Sequence, residues 1–362
     1  MRCESCGNES AIIAESLGLC ADCLRSGEAR FSDSAARVHR KVRSKFTLPV
    51  SIPRGDGLQC RRCANECSIP AGGKGYCGVR RAENGRLRGG NARDGYVHWY
   101  ADPLPTNCVA DWVCPAGGGA GYPDYSQIEG PEFGFCNLAV FYYGCTFDCL
   151  FCQNWQCRDA ARRQPVPASE LAKAVTDEVS CICYFGGDPS PQIHHALAAA
   201  REAGRSRGGG ILRICWETNG AMSPDLLRAM IDVSLESGGC IKFDIKAWNE
   251  NLHRALTGAS NRRTLSNVDV IVEHIRERQE PPLFVASTLL VPGYVDEGEV
   301  SRIAAFLAER SQDIPYALLA FAPQFAMSDL PTTSREQATR CYEAARDAGL
   351  INVRIGNEHL LK

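Results

Sequence analysis

From residue 138 onward, short apolar and β-branched runs alternate with segments whose apolar residues recur every three or four positions. The runs cover 138–143, 182–185, 211–216, 241–245, 283–291 and 316–321, and the amphipathic segments cover 168–179, 191–203, 224–235, 263–278, 297–310 and 334–348. The first kind of segment predicts buried strands and the second predicts helices. Ser223-Pro224 ahead of Asp225 is a helix start signal. Strands that alternate with helices pair in parallel through right-handed crossovers, since each helix must pack back onto the sheet. Six strand–helix units are too few to close an eight-stranded barrel. The spacing therefore predicts an α/β fold, a partial (β/α)6 barrel over residues 136–362, with its chemistry at the carboxyl ends of the strands.

Polar and glycine motifs fall at those ends. The first run leads into Cys145, Cys149 and Cys152, spaced C-x-x-x-C-x-x-C. Three thiolates at short spacing hold three irons of a 4Fe-4S cluster and leave the fourth open to a small molecule. Alone, such a triplet also suits zinc or half of a ferredoxin-like cluster. The second run enters Gly186-Gly187-Asp188-Pro189. Residues without a β-carbon let a ligand approach the backbone, and a carboxylate can meet an ammonium group; a strand-end turn accounts for the same residues. The third run ends in Glu217-Thr218-Asn219-Gly220 and the fourth in Asp244-Ile245-Lys246.

Together these motifs resemble the radical SAM superfamily. The resemblance implies that the open iron of a cluster on Cys145, Cys149 and Cys152 chelates the amino and carboxylate groups of S-adenosylmethionine (SAM). It also implies that Phe151 packs near the adenine, that Gln153 and Asn154 contact the nucleoside or methionine, and that Gly186, Gly187 and Asp188 hold the methionyl amine. Asp188 stands where the family usually has Glu. The resemblance further implies that Thr218, Asn219 and Asp244 complete the pocket and that Lys246 binds the SAM carboxylate. The string from Asp244 through His253, Leu256-Thr257-Gly258 and Asn261 to Leu265, with Val291-Pro292-Gly293, is similar to the pyruvate formate-lyase-activating enzyme family. That family's histidine after the last barrel strand has no counterpart in 320–323. Cys152-Gln153-Asn154-Trp155, the run Phe321-Ala322-Pro323-Gln324-Phe325 and the chain end with Gly356-Asn357 resemble the AmmeMemoRadiSam-system radical SAM proteins.

The implied activity is reductive cleavage of SAM to a 5′-deoxyadenosyl radical that abstracts hydrogen from an unidentified substrate. A glycyl-radical activase acting on a partner protein is the alternative within enzymes. An iron–sulfur electron carrier or metal-binding adaptor is the alternative outside them, and the intact strand-end motifs weigh against it. A reducing partner such as ferredoxin or flavodoxin is expected.

Upstream lies a cysteine-rich, metal-binding region. Cys3, Cys6, Cys20 and Cys23 form two C-x-x-C knuckles with zinc-ribbon spacing in residues 1–28. One zinc there would fold a segment too small to hold a core. Residues 29–57 read as a basic, solvated linker whose first part is helical. Residues 58–135 are rich in cysteine and glycine and carry a second tetrad, Cys60, Cys63, Cys67 and Cys77. It can hold zinc, an auxiliary cluster or no metal. Activases with ferredoxin-like inserts carry them after the triplet, so a zinc or other structural role is favoured here. Cys108, Cys114 and Cys136 can cap a further cluster, with buried free thiols as the default reading, and Cys157, Cys181, Cys183, Cys215, Cys240 and Cys341 read as packing. The polar amino terminus and the lack of a membrane-length apolar run predict a soluble, cytoplasmic protein whose reducing surroundings keep its 20 cysteines available for metal. A net charge of −2 argues against a nucleic-acid surface.

Overall fold

The apolar runs assemble side by side in a sheet of eight strands among the described residues. They are β1 (Val97–Pro103), β2 (Cys136–Tyr142), β3 (Val179–Gly186), β4 (Arg213–Thr218), β5 (Ile241–Asp244), β6 (Phe284–Leu290), β7 (Tyr316–Ala320) and β8 (Val353–Gly356). The computed structural model describes residues 1–362, the side chain of Ala161 excepted. The spatial order is the chain order, β1 to β8, and every pair from β2 to β8 is parallel. At one edge β1 runs antiparallel to β2, with Val97 opposite Tyr142 and Pro103 opposite Cys136.

The six expected strands are all present, flanked by β1 and β8. Both lie on an edge and bury little, so neither carries the continuous apolar run that marks a doubly covered strand.

The helices are α1 (Ala21–Ser26), α2 (Ala29–Ser44), α3 (Ala168–Lys173), α4 (Ile193–Arg207), α5 (Pro224–Ser237), α6 (Glu250–Thr257), α7 (Arg262–Val272), α8 (Glu297–Ala308) and α9 (Arg335–Asp347); all but α1 and α6 lie on the predicted segments. Side-chain oxygens of Asn249, Asp296 and Ser334 accept from backbone N–H groups in the first turns of α6, α8 and α9, satisfying donors that have no intrahelical partner. The expected 168–179 helix stops early, in a turn at Asp177 and Glu178 that feeds β3.

Period-two alternation gives the sheet two unlike faces. Ile182, Tyr184, Ile214, Trp216, Ile241 and Phe243 are fully buried under the helices. The Tyr184 hydroxyl donates to Ala196 O on α4 at 3.0 Å, and Trp216 Nε1 donates to Ser234 Oγ on α5 at 3.0 Å. Each large apolar side chain buried this way stabilises the fold by about 1.5–3 kcal/mol. The residues between them, Cys181, Cys183, Arg213, Cys215, Glu217, Lys242 and Asp244, share the opposite, inner face.

The amino-terminal segments dock on this scaffold. The stretch read as a solvated linker buries Phe31, His39, Val42 and Arg43 along one side of α2, so its basic composition hides an inward face. The Tyr294 hydroxyl accepts from Ala14 N at 2.9 Å and donates to Leu19 O at 3.0 Å. Arg25 pairs with Asp296 at 2.6 Å and Glu299 at 3.2 Å. The loop after β1 reaches the far edge of the sheet, where Arg354 Nη1 meets Asp111 Oδ1 at 2.9 Å and Asn107 Nδ2 donates to Asn357 Oδ1 at 2.9 Å. No helix among the described residues is long and apolar enough to cross a membrane.

Gly293 sits at φ +79°, and a β-carbon there would lie 2.1 Å from Ile12 O. Gly293→Ala should therefore destabilise the protein by about 1–3 kcal/mol through left-handed strain and the backbone clash. Thermal unfolding would register this as a lowered midpoint, and an unchanged midpoint would mean that the 12–19 segment does not dock there.

Candidate functional site

Immediately after β2, Gly144 turns the chain at φ +88°, and a β-carbon there would lie 2.9 Å from Cys77 O. The loop that follows carries Cys145, Cys149 and Cys152 and is pinned from behind. Asp148 N donates to Thr257 O at 2.7 Å, Leu150 N to Leu256 O at 2.9 Å, and Ala326 N to Leu150 O at 2.9 Å. Inside the loop, the fully buried Asp148 carboxylate meets His39 Nδ1 at 2.9 Å, Arg158 Nε at 3.0 Å and Arg43 Nη1 at 3.5 Å. Burial opposes its charge, but the His39 hydrogen bond and the Arg158 and Arg43 charges outweigh it and hold the carboxyl below its ordinary range. Arg158 Nη2 also donates to Cys149 O at 3.0 Å.

The three thiols differ in environment. Burial raises the Cys145 thiol and pushes that of Cys149 up to about 12. A hydrogen bond with Cys157, with Arg158 nearby, lowers Cys152 to about 6. Phe147 N and Asn219 Nδ2 point at the Cys145 sulfur from 3.4 and 3.8 Å.

All three cysteines line a cavity of about 640 Å³ at the carboxyl ends of the strands. Phe151, Gln153 and Asn154 line it from the same loop, Gly186 and Gly187 from the end of β3, Thr218 and Asn219 from the end of β4, and Asp244 and Lys246 from the end of β5. Asn154 Nδ2 donates to Gly186 O at 3.4 Å. Lys246 pairs with Asp244 Oδ2 and lies 5.7 Å from the centre of the Phe151 ring. Burial would lower the Lys246 ammonium, but the charge of Asp244 and the hydrogen bond to it outweigh that and keep the amine protonated. The other oxygen of Asp244, Oδ1, is buried without a hydrogen-bond partner among the described residues.

Asp188 stands apart from these residues. It is buried behind the cavity and accepts from Thr218 Oγ1 at 2.6 Å and Thr146 Oγ1 at 3.1 Å, tying the β4 end to the cysteine loop.

Several cavity residues escaped the sequence reading. Cys108 and Trp112 enter on the loop after β1, while Arg354 and His359 enter from β8 and the chain end. His359 brings an imidazole to a cavity for which the sequence offered none at 320–323. Below it, Lys242 Nζ on the inner face of β5 lies 3.0 Å from Cys183 Sγ and 3.3 Å from Cys108 Sγ, and Cys215 is paired in register with Cys183. Read as packing, Cys183 and Cys215 instead belong to a thiol-rich inner face whose one signal in the sequence is strand alternation.

The amino-terminal tetrad has a different geometry. The sulfurs of Cys3, Cys6, Cys20 and Cys23 all lie within 4.8 Å of one another, with Cys3–Cys23 at 3.8 Å and Cys6–Cys20 at 3.7 Å. Four thiolates about 2.3 Å from a single tetrahedral ion stand about 3.8 Å apart, so this donor set fits one such ion. Cys60, Cys63, Cys67 and Cys77 gather on the loops packed against Gly144 and Thr146.

Residues 139–307 match the family model described as the Radical SAM superfamily. The chain is 25% identical over 206 residues to the pyruvate formate-lyase 1-activating enzyme of Escherichia coli, an alignment covering 52% of this chain and 76% of that one. It is 32% identical over 139 residues to the isethionate sulfite-lyase activating enzyme of Oleidesulfovibrio alaskensis, covering 37% and 41%. It is 24% identical over 319 residues to an uncharacterized protein of Methanocaldococcus jannaschii, covering 83% and 81%. Residues 139–307 thus carry the features of a radical SAM domain, and the chain is similar to the pyruvate formate-lyase-activating enzymes, which supports an enzyme of that type.

Asp148→Ala would leave the buried Arg43 and Arg158 without their shared counter-charge. The expected loss is about 3–5 kcal/mol, measured by denaturant unfolding. A loss below about 1 kcal/mol would mean that the loop is held by its backbone bonds alone.

Proposed function

We propose that this enzyme binds a 4Fe-4S cluster through Cys145, Cys149 and Cys152 and SAM in the adjoining cavity, and that it abstracts hydrogen from a substrate yet to be identified. The observation that carries the reading is the meeting of three thiols, a protonated lysine and a partnerless carboxylate oxygen in one cavity. The donor set fits: three thiolates leave one iron open, and Asp244 Oδ1 is a buried acceptor in need of a donor. When bound, the cluster supplies the electron that breaks a carbon–sulfur bond of SAM and releases a 5′-deoxyadenosyl radical.

The protein's own residues then have distinct tasks. Lys246 offers a fixed positive charge to the SAM carboxylate. Gly186 O faces the cavity as an acceptor for the amine, and Asn154 Nδ2, already bonded to that carbonyl, fixes its direction. Phe151 supplies a flat apolar surface for the adenine, with Gln153, Thr218 and Asn219 around it. Asp188 acts from behind the cavity, as the brace between Thr218 and Thr146. The Asp148 ion cluster holds the cysteine loop rigid, so the thiolates need no rearrangement to bind metal. Cys3, Cys6, Cys20 and Cys23 hold one structural zinc. A low-potential donor such as ferredoxin or flavodoxin supplies electrons, in a cytoplasmic setting that keeps the thiols reduced.

The names of two aligned relatives support a second reading. Both are activating enzymes of lyases, and by analogy the substrate here would be a glycine backbone of a partner protein. An EPR signal of a glycine-centred radical on such a partner, formed only with SAM and this enzyme, would select it.

Anaerobically reconstituted enzyme should release 5′-deoxyadenosine from SAM when reduced with dithionite, and Cys145→Ala, Cys149→Ala or Cys152→Ala should abolish the release while the amino-terminal zinc stays bound. Cleavage by any of these variants would sink the assignment. Lys246→Ala should assemble its cluster normally but bind SAM about thirtyfold more weakly, the low end of the 2–5 kcal/mol range for losing one partner of a buried charge pair. Unchanged affinity in a SAM titration would remove Lys246 from the pocket. Elemental analysis should find about one zinc per chain, as one closed tetrahedral site requires; iron at that site, with a rubredoxin-like spectrum, would refute the zinc.

A further inference from the structure

The second cysteine tetrad takes no part in the site described above, yet it is a built site. A short hairpin pairs Leu58 with Ile69 and Gln59 with Ser68, and Cys60 N donates to Cys67 O at 2.8 Å across its neck. The tip of the hairpin is fastened to the strand end that carries Thr218 and Asn219. Cys63 forms a bridge with Met222, and Ala64 N donates to Ala221 O at 2.9 Å. Cys77 arrives from the glycine-rich loop, where Tyr76 N points at the Cys67 sulfur from 3.4 Å. Cys60 and Cys67 are buried, and Cys63 and Cys77 are partly so. Arg62 and Arg80 lie beside them and would offset the negative charge of four thiolates.

The spacing of the sulfurs discriminates between occupants. Among the described residues, no three sulfurs of this tetrad lie within 4.8 Å of one another, whereas all four of the amino-terminal tetrad do. A single tetrahedral ion needs its thiolates about 3.8 Å apart. Four irons at the corners of a cubane each take one thiolate and so spread the sulfurs. The sulfurs of Cys145, Cys149 and Cys152 likewise do not all lie within 4.8 Å of one another. We propose that Cys60, Cys63, Cys67 and Cys77 bind a second, fully capped 4Fe-4S cluster rather than zinc.

This cluster would sit beside the cysteine loop. Asn65 Nδ2 donates to Thr146 O at 2.6 Å, and Cys77 O is the atom that a β-carbon on Gly144 would approach to 2.9 Å. With every iron capped, it has no position for a substrate. Its class is that of a one-electron centre, and its binding does not depend on how the triad is used.

The test uses the full chain with Cys145→Ala, Cys149→Ala and Cys152→Ala combined, reconstituted anaerobically with ferrous iron and sulfide. This variant should retain about four irons and four sulfides per chain, the content of one cubane, with a thiolate-to-iron absorption that dithionite bleaches. Adding Cys63→Ser and Cys77→Ser should remove both the iron and the absorption. Zinc in place of iron at the tetrad, or no iron in a folded triad-less chain, would overturn the proposal. Should the triad-less chain fail to fold, Cys63→Ser with Cys77→Ser in the otherwise native protein provides the reading. Its iron should fall by about half, from two cubanes to one, and an iron content equal to that of the native protein would overturn the proposal equally.

Discussion

The buried carboxylate of Asp148 is the interaction on which the site depends. It sits inside the cysteine loop and gathers hydrogen-bond and ion-pair partners from separate parts of the chain: His39 and Arg43 on α2 and Arg158 beyond the loop. A carboxylate with no access to water is tolerable only when such partners surround it, and removing either side of the cluster leaves a buried charge uncompensated. The same residue therefore docks α2 and orients Arg158 towards the backbone of Cys149. The loop needs this restraint, because few of its own residues belong to a strand or helix.

The barrel contributes the complementary constraint. Its strands present aromatic and branched residues to the helices and thiols and charges to the interior, so the same eight-stranded sheet supplies both the core and the lining of the cavity. Lys242 among Cys108 and Cys183 extends that polar interior below the cavity. The loop after β1 meets β8 through Asp111 and Arg354, and the segment just after β8 through Asn107 and Asn357. The cavity is thereby bounded by segments far apart in sequence, and its ceiling includes His359.

The cysteines sort by geometry more than by sequence spacing. Both amino-terminal tetrads contain a C-x-x-C pair, yet one closes to the separations of a single tetrahedral ion and the other stays open. The difference lies in what each loop is tied to. The first tetrad closes on itself, with Cys20 N directed at the Cys3 sulfur from 3.4 Å. The second is stretched between its hairpin, the β4 end and the loop that carries Cys77, each anchored to a different part of the barrel.

Strand and helix periods, the three-cysteine spacing and the glycine and polar strand ends were all legible in the sequence, because each depends on residues within a few positions of one another. Those local patterns suffice for a parallel partial barrel and for the residues at its carboxyl ends. Contacts distant in sequence were not legible. β1 and β8 lie on edges that need no apolar run, and α2 reads as basic until its buried side meets Asp148. Asp188 follows a motif that points to a ligand, but its oxygens are taken by Thr218 and Thr146. Cys183 and Cys215 look like packing until strand register puts them on the inner face beside Lys242. The sequence determined which residues could do chemistry, since that is a property of side chains and their spacing. Only the tertiary structure decided which of them share a cavity and how far apart the sulfurs stand, because both depend on where distant segments cross.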